Sequence, residues 1–160
     1  MKLNVGSGHE RYEGWKNVDF AEETKPDYLA DFRHLPFEDN SVDEIFASHV
    51  LEHTALKEDV LKEWERVLRP NGKIIIAVPD LLQLYSQYRA GISSLEYFLA
   101  SIYGAKELGL DAKSHTHFQV FTPDMLIERM RIYFRDVKLG SDSAPRPSYY
   151  GEVMAQGYKI

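Results

Sequence analysis

The 160-residue chain has no cysteine. That excludes disulfide bridges, thiolate-held zinc and a cysteine nucleophile, and it suits a reducing compartment. No stretch approaches the roughly 20 apolar residues of a membrane-spanning helix. The opening residues, MKLNVGSG, lack the apolar core of a secretory signal. Positive charge is also short: 19 Lys and Arg stand against 25 Asp and Glu, leaving a formal net charge of −6. A field of that sign disfavours polyanions, so nucleic acid is not expected as the main partner. There is no internal repeat and no low-complexity tract, and the one linker-like run is GSDSAPRPSYYG, residues 140–151. What is present, 44% hydrophobic and 12% aromatic residues, is enough for one real core. The expectation is a cytoplasmic single domain over residues 1–160, without membrane association.

Four apolar runs read as strands. Leu3 to Val5 stops at Gly6-Ser7-Gly8, and Trp15 to Phe20 carries Asp19 at its end. Val42 to Ala47 is the third, and Lys73 to Val78, KIIIAV, is the clearest. IIIAV is apolar toward both faces, as a strand in a covered parallel sheet must be. Helical patterns lie between them. Residues 58–68 place Leu61, Trp64, Val67 and Leu68 on one face, and Pro70-Asn71-Gly72 ends that pattern. Thr122-Pro123-Asp124 combines a capping hydroxyl, proline at the first helical position and an acid near the positive end of the dipole. Two late runs, Phe134 to Leu139 and Glu152 to Ile160, read as a closing strand pair. Strands alternating with helices give an open α/β sheet with right-handed parallel connections. Such sheets bind ligands at the C-terminal ends of their strands.

Those strand ends carry the chemistry. Gly6-x-Gly8 lets a ligand approach the main chain, but a dinucleotide fingerprint needs a third glycine where Arg11 stands. The ligand expected there has no pyrophosphate. Asp19, at the end of the second strand, is suited to accept both hydroxyls of a ribose, or it caps a turn. Asp31 beside Phe32 can accept from a purine amino group while the ring packs on its face, or the pair is a loop acid and a core aromatic. Residues 48–53 read SHVLEH, which contains His49-x-x-Glu52-His53. On a helix that spacing holds zinc between two imidazoles with a carboxylate to activate water. Directly after a strand, however, the run falls at the mouth of the sheet and not within a helix.

LNVGSG, NVDF, DFRHLPFEDNSVDEIFASHVLEH and LRPNGKIIIAVPD, in that order, resemble the successive motifs of class I S-adenosylmethionine-dependent methyltransferases, in particular the small bacterial ones. The likeness is dense from Leu3 to Asp80 and looser beyond. It implies a Rossmann-like α/β fold, a mostly parallel twisted sheet of order 3-2-1-4-5-7-6 with strand 7 antiparallel and helices on both faces. It implies S-adenosylmethionine as cofactor. Gly6 and Gly8 would approach its methionine part, and Asp19 would hold the ribose, with Phe20 beside the adenine. Asp31 and Phe32 would address the adenine edge, and Ser48 and His49 would border the methionine end. Two features depart from the family pattern. The first strand begins almost at Met1, without the family's N-terminal helical segment, and the helix after the first strand is abbreviated. Another element must then enclose the cofactor, either residues 81–121 or a second subunit of a homodimer.

The expected activity is methyl transfer to a small-molecule or glycan-like acceptor, with no metal centre. His53 and His117 are the candidate general bases, with His115 beside them. Asp80 is placed either to meet the acceptor or to cap a helix. Residues 81–121, rich in Leu and Tyr, are expected to form the acceptor pocket or lid. Two other function classes stay open at this point: a non-catalytic module binding the same cofactor, and a zinc hydrolase using His49, Glu52 and His53. A nicotinamide enzyme is opposed by Arg11.

Overall fold

The computed structural model describes residues 1–55, 59–104 and 116–160. Seven strands form one sheet: β1 (Lys2–Val5), β2 (Trp15–Asp19), β3 (Tyr28–Leu29), β4 (Val42–Ser48), β5 (Leu68–Pro79), β6 (Phe134–Leu139) and β7 (Glu152–Lys159). Their order is β3-β2-β1-β4-β5-β7-β6. All neighbouring pairs are parallel except those made by β7, which runs antiparallel to both β5 and β6. The order and the reversed strand agree with the sequence expectation. β3 is expected from the strand order and the strand end near Asp31, not from a run of its own, because two residues are too few to show periodicity.

Register places the site. Val5 pairs with Val18 on one side and with Ala47 on the other. The next residues, Gly6, Asp19 and Ser48, therefore leave the sheet side by side at its C-terminal edge.

The sheet is packed on both faces, as the apolar run of β5 requires: Ile74, Ile75, Ile76, Ala77 and Val78 are all fully buried. On one face, α1 (Val60–Val67) contributes Leu61, Trp64 and Val67, and α4 (Pro123–Met130) contributes Leu126 and Met130. On the other face a smaller cluster of Trp15, Phe46, Ile75, Ala77 and Met154 is met by Tyr12 and Ala144, both from loops. No helix forms between β1 and β2.

Local sequence explains the helix starts. Thr122 Oγ1 accepts the Met125 N–H at 3.3 Å and Pro123 opens α4. Asp80 does the same for α2 (Leu81–Arg89), accepting from Leu82 N–H at 2.9 Å and Gln83 N–H at 3.4 Å, so of its two expected roles it takes the cap. α3 (Leu95–Tyr103) follows, and Tyr88 stacks on Phe98 across the pair. One boundary differs from expectation. Pro70-Asn71-Gly72 does not separate helix from strand, because β5 already begins at Leu68, with a register shift against β4 that accommodates the proline.

Trp64 links this core to the ligand edge. It is fully buried, and its Nε1–H donates to the Phe32 carbonyl at 2.9 Å. Trp64→Ala is expected to cost about 3–5 kcal/mol in urea unfolding. Trp64→Phe should cost less but still loosen the Phe32 loop. A change within about 0.5 kcal/mol for Trp64→Ala would show that this contact does not support the fold.

Candidate active site

At the C-terminal edge lies a cleft of about 320 Å³, within the range of small-molecule sites. Its floor is the turn after β1. Gly6 has φ +62°, and a Cβ there would stand 2.3 Å from Val50 Cγ2. Only glycine lets the strand turn so sharply against that side chain. Gly6 N–H and Ser7 N–H both donate to the Val18 carbonyl, at 2.8 and 3.2 Å. Gly8 has φ +49°, with open space where its Cβ would be. Arg11, standing in place of a third glycine, donates from its guanidinium to the Gly8 and Thr24 carbonyls. It ties the loop down where a helix might have done so.

Asp19 forms the wall. It is only 7% exposed, accepting from Gly8 N–H at 2.7 Å on Oδ2 and from Ala21 N–H at 2.9 Å on Oδ1. A carboxylate has about four acceptor positions, so two remain for hydroxyls of a guest. Beyond it the cleft turns apolar, lined by Phe20, Ala30 and Phe32. Asp31 does not line it. Its carboxylate takes a two-pronged contact from Arg33, Nε to Oδ1 at 3.0 Å and Nη2 to Oδ2 at 2.6 Å, in a neighbouring hollow shared with Asp59. That guanidinium holds the Asp31 carboxyl below the usual carboxylate range, against the opposing effect of burial.

The other end of the cleft is ionic. His49 sits in left-handed backbone (φ +56°) right after β4, with its N–H on the Ala77 carbonyl at 2.9 Å. Its Nε2 lies 2.9 Å from Glu152 Oε2, and its Nδ1 lies 3.3 Å from Glu52 Oε1. Burial alone would push its pKa down, but the hydrogen bond to Glu152 and the nearby Glu52 carboxylate lift it to about 9. At neutral pH the ring is an imidazolium facing the cleft. Glu152 also accepts from Arg146 Nη1 and Nη2 at 2.7 and 2.9 Å and from Tyr149 N–H at 2.6 Å. Burial raises its pKa, yet the bonds from His49 and Arg146 prevail and hold it at about 2. Arg146 stacks on the Tyr149 ring, 3.7 Å from its centroid, and donates to Ser48 Oγ at 2.6 Å. Ser48 therefore faces a second hollow, on the far side of the glycine turn, and not the main cleft.

His53 lines the cleft and meets His117 edge to face, ring centroids 4.7 Å apart. The fold thus brings together two imidazoles 64 positions apart in sequence. His115 lies outside the described residues. The run from His49 to His53 is not an α-helix. Leu51–His53 forms a single 3₁₀ turn, and His49 points its Nε2 at Glu152. The i, i+4 geometry that a zinc helix needs is absent. Sequence reasoning missed Arg146 and Glu152, whose partners Ser48 and His49 lie 98 and 103 positions away. The one available hint was a lone arginine held between two prolines in the loop.

Residues 9–76 match the family model described as a methyltransferase domain. Among solved structures, the chain is similar to a Thermotoga maritima S-adenosylmethionine-dependent methyltransferase, with a TM-score of 0.67 and 19% identity, covering 99% of this chain and 81% of that one. An Archaeoglobus fulgidus S-adenosylmethionine-dependent methyltransferase gives a TM-score of 0.66, also at 19% identity, over 99% and 85%. The fold is that of the class I S-adenosylmethionine-dependent methyltransferases. Among curated sequences, the chain is 45% identical over 49 residues to the methyltransferase GfsG of Streptomyces halstedii, a stretch that covers 31% of this chain and 18% of that protein. Matched sequence thus spans less than a fifth of that relative's length. The matched model and the fold point to S-adenosylmethionine as cofactor, and the cleft suits it: an apolar end, a buried carboxylate with spare acceptor positions, and a glycine turn that presents bare backbone. No described helix is long and apolar enough to cross a membrane.

The ionic end makes stability depend on pH in two directions. The Glu152 carboxyl titrates at 4.5 without its partners and at about 2 within the fold. Its contribution is full above about pH 5 and is lost as pH falls toward the folded value. His49 shifts oppositely, from 6.5 to about 9. Its contribution is full below about pH 6 and is lost as pH rises through the folded value. Urea midpoints measured across pH should fall on both sides for the native chain, and Glu152→Gln should lower and flatten the curve. Parallel curves for the two proteins would contradict this assignment.

Proposed function

We propose that the chain is an S-adenosylmethionine-dependent methyltransferase acting on a small-molecule or glycan-like acceptor, and that Asp19 is its principal cofactor contact. The observation that carries this reading is the buried Asp19 carboxylate, fixed by two backbone N–H groups with acceptor positions to spare. When bound, the cofactor supplies a methyl group already activated on a positive sulfur. The protein's task is then alignment and exclusion of water, which together can lower a barrier by roughly 7–11 kcal/mol.

Each part of the cleft has a task in that scheme. Asp19 accepts the ribose hydroxyls, and Phe20 and Phe32 offer apolar surface to the base. The turn from Gly6 to Gly8 offers main chain to the amino-acid end, beside the His49 imidazolium. His53 and His117 stand at the transfer end, where a hydroxyl or amine acceptor must lose a proton; a positioned base there is worth about 10²–10⁴-fold. Exposed aromatics on α2 and α3, Tyr85, Tyr97 and Tyr103, suit the faces of sugars or aromatic acceptors.

Asp19→Ala is expected to weaken S-adenosylhomocysteine binding by about tenfold or more, because charge-assisted hydrogen bonds are lost. Calorimetry on the variant, folded by circular dichroism, checks this, and unchanged affinity would contradict the assignment. Transfer itself is read by incubating the chain with labelled cofactor and a pool of hydroxylated small molecules and glycans. Labelled product is expected from the native chain and little from Asp19→Ala.

A further inference from the structure

Glu52 is the side chain that the cleft as described leaves unexplained. It is 1% exposed, and neither carboxylate oxygen has a hydrogen-bond partner. His49 Nδ1 lies 3.3 Å from Oε1 but is not aligned to donate to it. The His49 imidazolium offsets part of its charge, but a buried carboxylate without hydrogen bonds is still costly to keep, and a metal ion bonded to it removes that cost.

Two imidazoles stand beside it. One ligand atom from each of Glu52, His53 and His117 lies within 4.8 Å of the other two. The rings are also oriented alike. His53 Nδ1 lies 3.2 Å from the Thr116 carbonyl and His117 Nδ1 lies 3.1 Å from the Ser101 carbonyl. A carbonyl only accepts, so each Nδ1 carries the hydrogen and each lone pair falls on Nε2. That is the outer contact by which proteins fix the tautomer of a metal-ligating histidine. The frame is braced as well. The Glu52 carbonyl accepts from Phe118 N–H at 2.8 Å and Gln119 N–H at 3.2 Å, which fastens the segment carrying His117 to the turn carrying Glu52 and His53.

We propose that Glu52, His53 and His117 bind one divalent transition-metal ion. Two imidazole nitrogens and one carboxylate oxygen suit zinc, cobalt, iron or nickel, and not magnesium or calcium, which prefer oxygen alone. On a metal with bonds of about 2.0–2.2 Å the ligand atoms must draw in to about 3.3 Å of one another, a small adjustment from the present spread. This set differs from the helix-borne motif read from the sequence, since His49 is engaged by Glu152 and His117 takes the third place. Three protein ligands leave coordination open. His53 lines the cleft, so an acceptor oxygen reaching the transfer end meets that open position, and coordination lowers the pKa of its hydroxyl. In this state His53 and His117 serve as ligands, and the acceptor hydroxyl, made more acidic by the metal, gives its proton to solvent water in place of a histidine base. That role rests on the proposed methyl transfer; the binding site itself does not.

The test uses the full chain, stripped with a chelator and free of cofactor, in equilibrium dialysis against zinc(II) or cobalt(II). One equivalent of metal is expected to bind. Glu52→Gln and His117→Asn should each weaken binding at least tenfold, while His34→Asn, in a separate hollow, should not. Because a buried substitution can disturb folding, nitrogen-15 imidazole spectra of the native chain give an independent reading. Zinc should shift Nε2 of His53 and His117 and leave Nδ1 protonated. No binding to the native chain, equal binding by Glu52→Gln, or zinc shifts confined to other histidines would overturn the site. S-adenosylhomocysteine affinity is measured separately: metal binding without it would refute the transferase reading and leave the metal site standing.

Discussion

The carboxylate of Asp19 is the constraint on which the ligand edge depends. One oxygen takes the Gly8 N–H and the other takes the Ala21 N–H. The side chain therefore joins the turn after β1 to the exit of β2. Parallel pairing brings the two strand ends level, and Asp19 then sets the path of the chain beyond them. Charge-assisted bonds of this kind contribute about 1.5–3 kcal/mol each when they replace contacts with water. They also keep the carboxylate aimed and recessed before any ligand arrives. A site prepared in this way loses little further freedom on binding.

A second ionic assembly braces the opposite rim. His49, Glu152 and Arg146 come from the end of β4, the start of β7 and the loop between β6 and β7. Arg146 also lies over Phe46 and Tyr149, so one guanidinium covers apolar surface on the second face of the sheet while neutralising a buried acid. That face meets loop residues, Tyr12 and Ala144, and the segment between β1 and β2 forms no helix. The proline-bearing loop covers this sheet face and the far hollow, and no described residue of it lines the main cleft.

Sequence legibility followed the range of the interactions. KIIIAV could only be a strand buried on both faces, and Thr122-Pro123 could only open a helix, because both signals are local. The motifs at the strand ends identified Gly6, Gly8, Asp19, Phe20, Phe32 and His49, all of which line the cleft. Local pattern misled where geometry beyond the segment decides. Asp31 follows a strand in the expected way, but Arg33, two residues on, captures its carboxylate. Ser48 leaves β4 beside His49 yet turns to Arg146, 98 positions away. The spacing of His49, Glu52 and His53 fits a zinc helix, but the chain leaves β4 in left-handed backbone at His49 and forms a 3₁₀ turn over Leu51–His53. His117 meeting His53, and His49 meeting Glu152, could not be read from any window of sequence, since each pair depends on which loops the sheet order brings together.

The most direct measurement is a crystal structure of the chain with S-adenosylhomocysteine bound. The account expects the ribose hydroxyls within hydrogen-bond distance of the Asp19 carboxylate, the base beside Phe20 and Phe32, and the amino-acid end at the turn from Gly6 to Gly8 near His49. A nucleoside bound elsewhere on the chain, or one in the cleft that leaves Asp19 untouched, would contradict it.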